Sequence, residues 1–317
     1  MSRHFQFRKS RRDALIAGLA AGVGLMVRPQ AWAAADSPHE LPLITKAIPA
    51  TGEKVPVIGL GTDKFRTEDR GAIQAEIKRM QQLGGTLIDT AAAYGDSEAL
   101  IGEALTALGI GDRMFVATKL TAGGVGFSGD GVGGAASFER SLTRLKARRV
   151  DLLQVHNLDG VDTLMPLLQQ WKQAGKVRYI GITTSRVAQH APMLEFMRRY
   201  PLDFVQVDYS LANRDAAVQL LPLAMERRIA VLANIPFGHG AVIQQAQARQ
   251  LPEWAADIDV TSWSQFLLKY VISHPGVTCA IPGSTQLAHL EDNQRAARGR
   301  LPDDAMRKRM EHYWDAG

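Results

Sequence analysis

The chain has 317 residues, 46% of them hydrophobic, and a formal net charge of +5. That is enough for a full apolar core and suits a single α/β barrel. The basic excess sits in the first 30 residues, where Arg3, Arg8, Lys9, Arg11, Arg12 and Arg28 meet only Asp13, so the near-neutral body makes no case for nucleic-acid binding.

Residues 1–35 do not read as fold. A basic start ends in Ser10-Arg11-Arg12, an apolar run follows over 14–27, and then come Pro29 and small residues. Ala31-Trp32-Ala33 and Ala33-Ala34-Ala35 both fit a signal-peptidase pattern, which is the layout of a cleaved export signal. The paired arginines resemble the twin-arginine type, which carries folded proteins across the bacterial inner membrane. Ala14 stands where that motif usually has Phe, and Asp13 follows the pair. The resemblance implies the twin-arginine export machinery as a partner and a periplasmic mature protein over 36–317. An uncleaved membrane anchor and an ordinary amphipathic helix are the other readings. The 14-residue apolar run is short for a spanning helix of ~20 residues. No second run is long enough, so no membrane span is expected after cleavage. The single cysteine, Cys279, excludes an internal disulfide and a cysteine-based zinc cluster.

Residues 36–41 form a polar linker containing Pro38. Segments 43–46 and 54–58 flank Pro49-Ala50-Thr51-Gly52 and predict a hairpin turning at Thr51-Gly52. Apolar strands follow near Val57, Leu87, Phe115, Leu152, Tyr179, Phe204, Ala230 and Thr278. Eight strands with helical patterns between them predict a closed parallel (β/α)8 barrel. The stripe Ile73, Ile77, Met80, Leu83 ends at Gly84-Gly85; Leu164, Leu167, Leu168, Trp171 ends before Gly175; Met193, Phe196, Met197 ends before Pro201. Segment 121–134 holds seven glycines in 14 residues and suits a lid or an adaptable substrate wall. A second long loop, after the seventh strand, carries Phe237-Gly238-His239-Gly240 and then Leu251-Pro252-Glu253-Trp254. A last helix over 303–314, after Pro302, is expected to pack across a barrel end.

Active sites of such barrels lie at the carboxyl ends of the strands. The second strand ends in Asp89 and leads to Tyr94, the third ends in Lys119, and the fourth ends in His156 and Asn157. Each alone has a dull explanation, but one mouth would gather all four ionisable groups. They suit carbonyl reduction. As hydride reaches carbon, negative charge grows on oxygen and a proton must arrive. A phenol, ordinarily near pKa ~10, becomes a better donor beside an ammonium. Lys119 is placed to do that for Tyr94, and Asp89 to hold Lys119 charged. His156 can hydrogen-bond the carbonyl oxygen or share in proton delivery. None of these groups can deliver hydride, so a cofactor is required.

This tetrad resembles the aldo-keto reductases, whose barrel carries an N-terminal hairpin that closes the floor. The resemblance runs over about 47–297. It implies an NADP-dependent enzyme, with NAD possible, acting on a small-molecule carbonyl substrate. Cofactor contacts are implied at Gly61 and Thr62 after the first strand, at Asn157, and at Thr183 and Thr184 in place of a usual Ser-Asn pair. Gln206 matches the glutamine that holds the carboxamide. In Asn234-Ile235-Pro236-Phe237-Gly238, Asn234 stands where many members stack a Tyr. The last segment runs Gly283-Ser284-Thr285 into a helix, a good anion site because free backbone amides point outward there. Asp292 and Asn293 match the adenine-binding pair, but Gly283 replaces a Lys and His289 an Arg at the 2′-phosphate. No GxGxxG stands where a doubly wound domain would put it, which counts against a Rossmann dehydrogenase. The rival reading is a cofactor-binding barrel that acts as a redox-sensing or regulatory partner subunit with little turnover. A phosphate-handling barrel isomerase would need a carboxylate base and leaves Tyr94 and Lys119 unexplained.

Overall fold

The computed structural model describes residues 41–123 and 134–316. The export segment 1–35 and most of the glycine-rich loop lie outside them. All described residues fall in one compact unit, Leu41–Gly317.

The chain opens with an antiparallel hairpin, β1 (Thr45–Ala47) and β2 (Lys54–Pro56), in register Thr45↔Pro56. Its turn is made at Gly52, whose φ of +79° suits glycine. Ile48 and Val55 are buried in one cluster with Leu87, Phe115, Leu152, Tyr179 and Phe204, so the hairpin closes the floor of the barrel interior. It is tied down by Tyr179, whose hydroxyl donates to Glu53 at 2.7 Å and contacts Thr51 at 2.8 Å.

Strands and helices then alternate: β3 (Leu60–Gly61), α1 (Arg70–Gln82), β4 (Leu87–Asp89), α2 (Ser97–Leu108), β5 (Phe115–Leu120), α3 (Gly134–Arg144), β6 (Val150–Val155), α4 (Val161–Gln173), β7 (Val177–Thr183), α5 (His190–Arg199), β8 (Phe204–Asp208), α6 (Leu220–Glu226), β9 (Ala230–Asn234), α7 (Ala241–Gln247), α8 (Trp263–Ser273), β10 (Cys279–Ala280), α9 (Leu287–Arg295) and α10 (Asp304–Asp315). β3 to β10 form one parallel eight-stranded sheet in sequence order. Parallel bridges Ile58↔Ala280 and Gly61↔Gly283 join its two ends and close the (β/α)8 barrel.

The alternation of each strand divides the core. Leu152, Tyr179, Phe204, Ala230 and Leu232 fill the barrel, while Leu153, Ile180, Val205 and Val231 face the helices. Helix ends follow local chemistry. Gly109 at φ +62° ends α2, Ser262 caps α8 through the Gln265 amide, and the Asp303 carboxylate caps α10 through the Met306 amide at 2.8 Å.

The last helix departs from expectation. α10 runs along the flank of α8, antiparallel to it, and does not cross a barrel end. Arg307 near its start donates to Ser273 at the end of α8 at 2.6 Å, while carbonyls of Tyr313 and Trp314 accept from Arg249, ahead of α8. Met310 and Trp314 are buried on α10, and Tyr313 stacks on Trp263 at the start of α8 with ring centroids 6.4 Å apart. No helix among the described residues is long and apolar enough to cross a membrane.

Candidate active site

The strand ends bring the predicted tetrad together. Lys119 Nζ donates to Asp89 Oδ2 at 2.6 Å and to the Thr90 carbonyl at 2.8 Å, and it lies 3.5 Å from the Tyr94 hydroxyl. Lys119 and Asp89 are 1% and 2% exposed, so this is a buried pair. The His156 ring meets the Tyr94 ring edge-on, with centroids 5.6 Å apart. The tyrosine is half-buried at the barrel mouth. Its hydroxyl turns inward to Lys119.

Burial alone would strip charge from Lys119, but Asp89 and Tyr94 outweigh it and hold the ammonium above its ordinary pKa. Burial raises the Asp89 carboxyl and Lys119 pulls it back; the short Nζ–Oδ2 contact is that of an ion pair. Burial also governs Tyr94, where it exceeds the pull of Lys119, so the phenol lies above its usual pKa. The expected lowering by Lys119 is therefore present but smaller than the desolvation. Burial, then Lys119, pushes His156 down to about 3. Its imidazole is neutral at working pH. This favours the hydrogen-bonding role over proton sharing.

The predicted cofactor residues fall into two sets. In the first, polar groups face the site. Gln206 Oε1 and Asn234 Oδ1 have no hydrogen-bond partner among the described residues. The Thr183 hydroxyl accepts from the Asn157 amide at 3.0 Å, leaving its proton to donate. Two acceptors and one donor are the complement of a carboxamide, so this set fits a nicotinamide. Pro236, Phe237 and Gly238 lead from β9 into the loop before α7, and Ile235 is held at φ +49°, a left-handed conformation costly for a β-branched side chain. Thr285 and His289 are exposed at the start of α9, and Asn293 is buried on it.

In the second set, side chains serve the protein. The Thr62 hydroxyl donates to the Asp89 carbonyl at 2.9 Å and accepts from Ser97, fixing the end of β4. Thr184 donates to Gln189 at 2.6 Å and accepts from the Arg186 amide, so it offers no amide-like group to a ligand. Both Asp292 oxygens are taken at the start of α8, by Ser262 at 2.7 Å and Gln265 at 2.6 Å. A Cβ on Gly61 would sit 2.9 Å from the Ile281 carbonyl, so this glycine lets β10 close against β3. A Cβ on Gly283 would meet Asp63 Oδ1 at 3.5 Å.

Two further groups belong to the site. The Thr90 carbonyl is a third anchor for Lys119, and a backbone group leaves no mark in sequence. Glu76 touches Ser284; its signal is a carboxylate interrupting the buried stripe Ile73, Ile77, Met80.

The family model for the aldo/keto reductase family matches residues 57–313. This chain is an aldo/keto reductase family member. Among its relatives is methylglyoxal reductase YeaE of Escherichia coli, 28% identical over 257 residues, covering 78% of this chain and 88% of that protein. An uncharacterized oxidoreductase of Schizosaccharomyces pombe is 30% identical over 257 residues, covering 76% and 79%. A crystal structure of an aldo/keto reductase from Klebsiella pneumoniae in complex with NADP and acetate superposes with a TM-score of 0.70 at 25% identity, covering 83% of this chain and 93% of that one.

Proposed function

We propose that this aldo/keto reductase reduces an aldehyde or ketone to an alcohol with NADPH, and with NADH at weak discrimination. The carrying observation is Lys119, locked to Asp89 at 2.6 Å and standing 3.5 Å from the Tyr94 hydroxyl. A bound nicotinamide supplies the hydride. Gln206, Asn234 and Thr183 would hold its carboxamide. The complex of the Klebsiella pneumoniae structure with NADP supports that cofactor.

Tyr94 gives the proton. Its raised pKa keeps the phenol protonated at neutral pH, so the proton is in place to move as negative charge builds on the carbonyl oxygen. Lys119 stabilises the phenolate left behind, and Asp89 keeps Lys119 charged and aimed. Neutral His156 donates a hydrogen bond to the carbonyl oxygen and sets its angle. This built proton-transfer site favours turnover over a purely regulatory role.

Steady-state reduction of small carbonyls tests the proposal, with methylglyoxal tried first because the Escherichia coli relative is named for it. Tyr94→Phe should lower kcat by about 10²- to 10⁴-fold with cofactor binding nearly unchanged. A variant that kept most of its rate would reject the assignment.

We propose also that the chain is exported. Arg11-Arg12, the short apolar run and the small residues before Asp36 support a twin-arginine signal over 1–35 and a periplasmic enzyme that leaves the cytoplasm folded around its nucleotide. Cell fractionation with amino-terminal sequencing tests it. Replacing both arginines by lysine should strand the precursor inside. Full-length protein confined to the cytoplasm in the wild type would refute export, and uncleaved protein in the membrane fraction would mark the segment as an anchor.

A further inference from the structure

The turn after β10 has the backbone of an anion site and the side chains of something else. Residues 285–289 are exposed, and Gln286 at the head of α9 makes no side-chain cap, which leaves the first-turn amides open. Yet Ser284 is turned toward a carboxylate. Its hydroxyl donates to Glu76 Oε1 at 2.9 Å, across 208 positions of sequence. The Gln286 carbonyl, at 3.0 Å, is a second acceptor for the same hydroxyl proton, and the Ser284 oxygen accepts from the Gln286 amide at 3.2 Å.

Glu76 is 1% exposed, and its Oε2 has no hydrogen-bond partner among the described residues. Among the described residues no cation pairs with it. Arg79, one turn on, reaches Glu291 at 2.6 Å, and Arg70 pairs with Glu103. More acid lies near. Asp69 adds to the unfavourable field at Glu76, and Asp63 stands beside Gly283.

We propose that Glu76 is a positioning residue that narrows the preference for NADPH over NADH, by claiming the Ser284 hydroxyl at the turn that receives the 2′ position of the adenosine ribose. This rests on the cofactor reading above. A 2′-phosphate is a multiply charged acceptor and wants donors; the one O–H that Ser284 owns is already met by the Glu76 carboxylate at 2.9 Å and the Gln286 carbonyl at 3.0 Å, and the carboxylate is the stronger acceptor. A 2′-hydroxyl brings its own proton, which the Ser284 oxygen can accept. The open amides still serve a phosphate, so both nucleotides bind. Burial raises the Glu76 carboxyl and the Ser284 bond opposes that rise, so the bond helps keep the acid ionised.

Glu76→Met keeps the length, removes the charge and both acceptor oxygens, and releases the Ser284 proton. Titrate the purified protein with NADP⁺ and NAD⁺ by calorimetry, and with adenosine 2′,5′-bisphosphate and ADP as fragments that carry and lack the 2′-phosphate. The variant should gain about tenfold for NADP⁺ and for the bisphosphate, the weight of one hydrogen bond to a charged group. NAD⁺ and ADP should stay within about twofold. The gain should vanish when Ser284→Ala is added, which a general loosening of α1 against α9 would not produce. Ser284→Ala alone, which does not depend on the Glu76 variant folding, should leave NADP⁺ affinity within about twofold. A parallel shift for both nucleotides, an unchanged ratio, or a large loss of NADP⁺ in Ser284→Ala overturns the proposal alone. Wild-type protein that takes up neither nucleotide overturns the cofactor reading with it.

Discussion

At the scale of the residue, burial reverses a simple expectation. An ammonium beside a phenol suggests a low phenol pKa, but Tyr94 lies above its usual value because its hydroxyl end is desolvated. The consequence is directional. Carbonyl reduction needs the phenol, so kcat/KM should stay level over roughly pH 6 to 9 and fall only above the ordinary tyrosine range. Alcohol oxidation needs the phenolate, so its rate should climb through the same range. A basic limb near neutrality in the reduction profile would contradict the assignment. His156, pushed down to about 3, adds no ionisation between pH 5 and 8. As a neutral donor it should be better replaced by Gln than by Ala. His156→Gln should keep most of its KM and lose part of kcat, while His156→Ala loses both.

At the scale of the element, the hairpin and all eight barrel strands were legible, because each is a short apolar run between helical stripes that stop at Gly or Pro. The tetrad was legible because a parallel barrel puts successive strand ends at one mouth. What stayed hidden depends on partners far apart in sequence. Asp292 also serves the fold, through Ser262 and Gln265 at the start of α8, and Thr184 through Gln189, and none of these partners could be read from sequence. α10 was legible as a helix, but its flank was not, because its basic residues hide the Met310 and Trp314 stripe. Lys269 is another hidden anchor. It is fully buried in α8 and donates at 2.7 Å to the carbonyls of Ile258, Arg298 and Arg300, matching three N–H bonds to three acceptors. Burial lowers it to about 8, still charged at neutral pH. Lys269→Met strands those carbonyls and should cost about 3–5 kcal/mol in denaturant unfolding. A loss under about 1 kcal/mol would show that the loops find other donors.

At the scale of the whole molecule, two histidines set an acid limit. His156 is held at about 3 and His274 at about 4, in both cases chiefly by burial, and His274 Nδ1 accepts from the Gly276 amide at 3.0 Å, which requires a neutral ring there. Both lie below the unfolded value near 6.5. Between those values the unfolded chain binds more protons, so their contribution is present above pH ~6.5 and is lost as pH falls toward 4, by up to about 1.4 kcal/mol per pH unit for each. Unfolding monitored from pH 7 to 4.5 should show that slope, and His274→Gln should flatten part of it. The closure of the barrel has a different bearing. β3 and β10 are two residues each, and bridges at Ile58↔Ala280 and Gly61↔Gly283 join the ends of the sheet. A ring is as tight as its clasp. The glycine end of β3 and the turn after β10, both expected to touch the nucleotide, lie on either side of that clasp. Loading should therefore slow amide deuterium uptake at 58–61 and 279–283 more than at β6 or β7, and the nucleotide-free barrel should breathe first along this line.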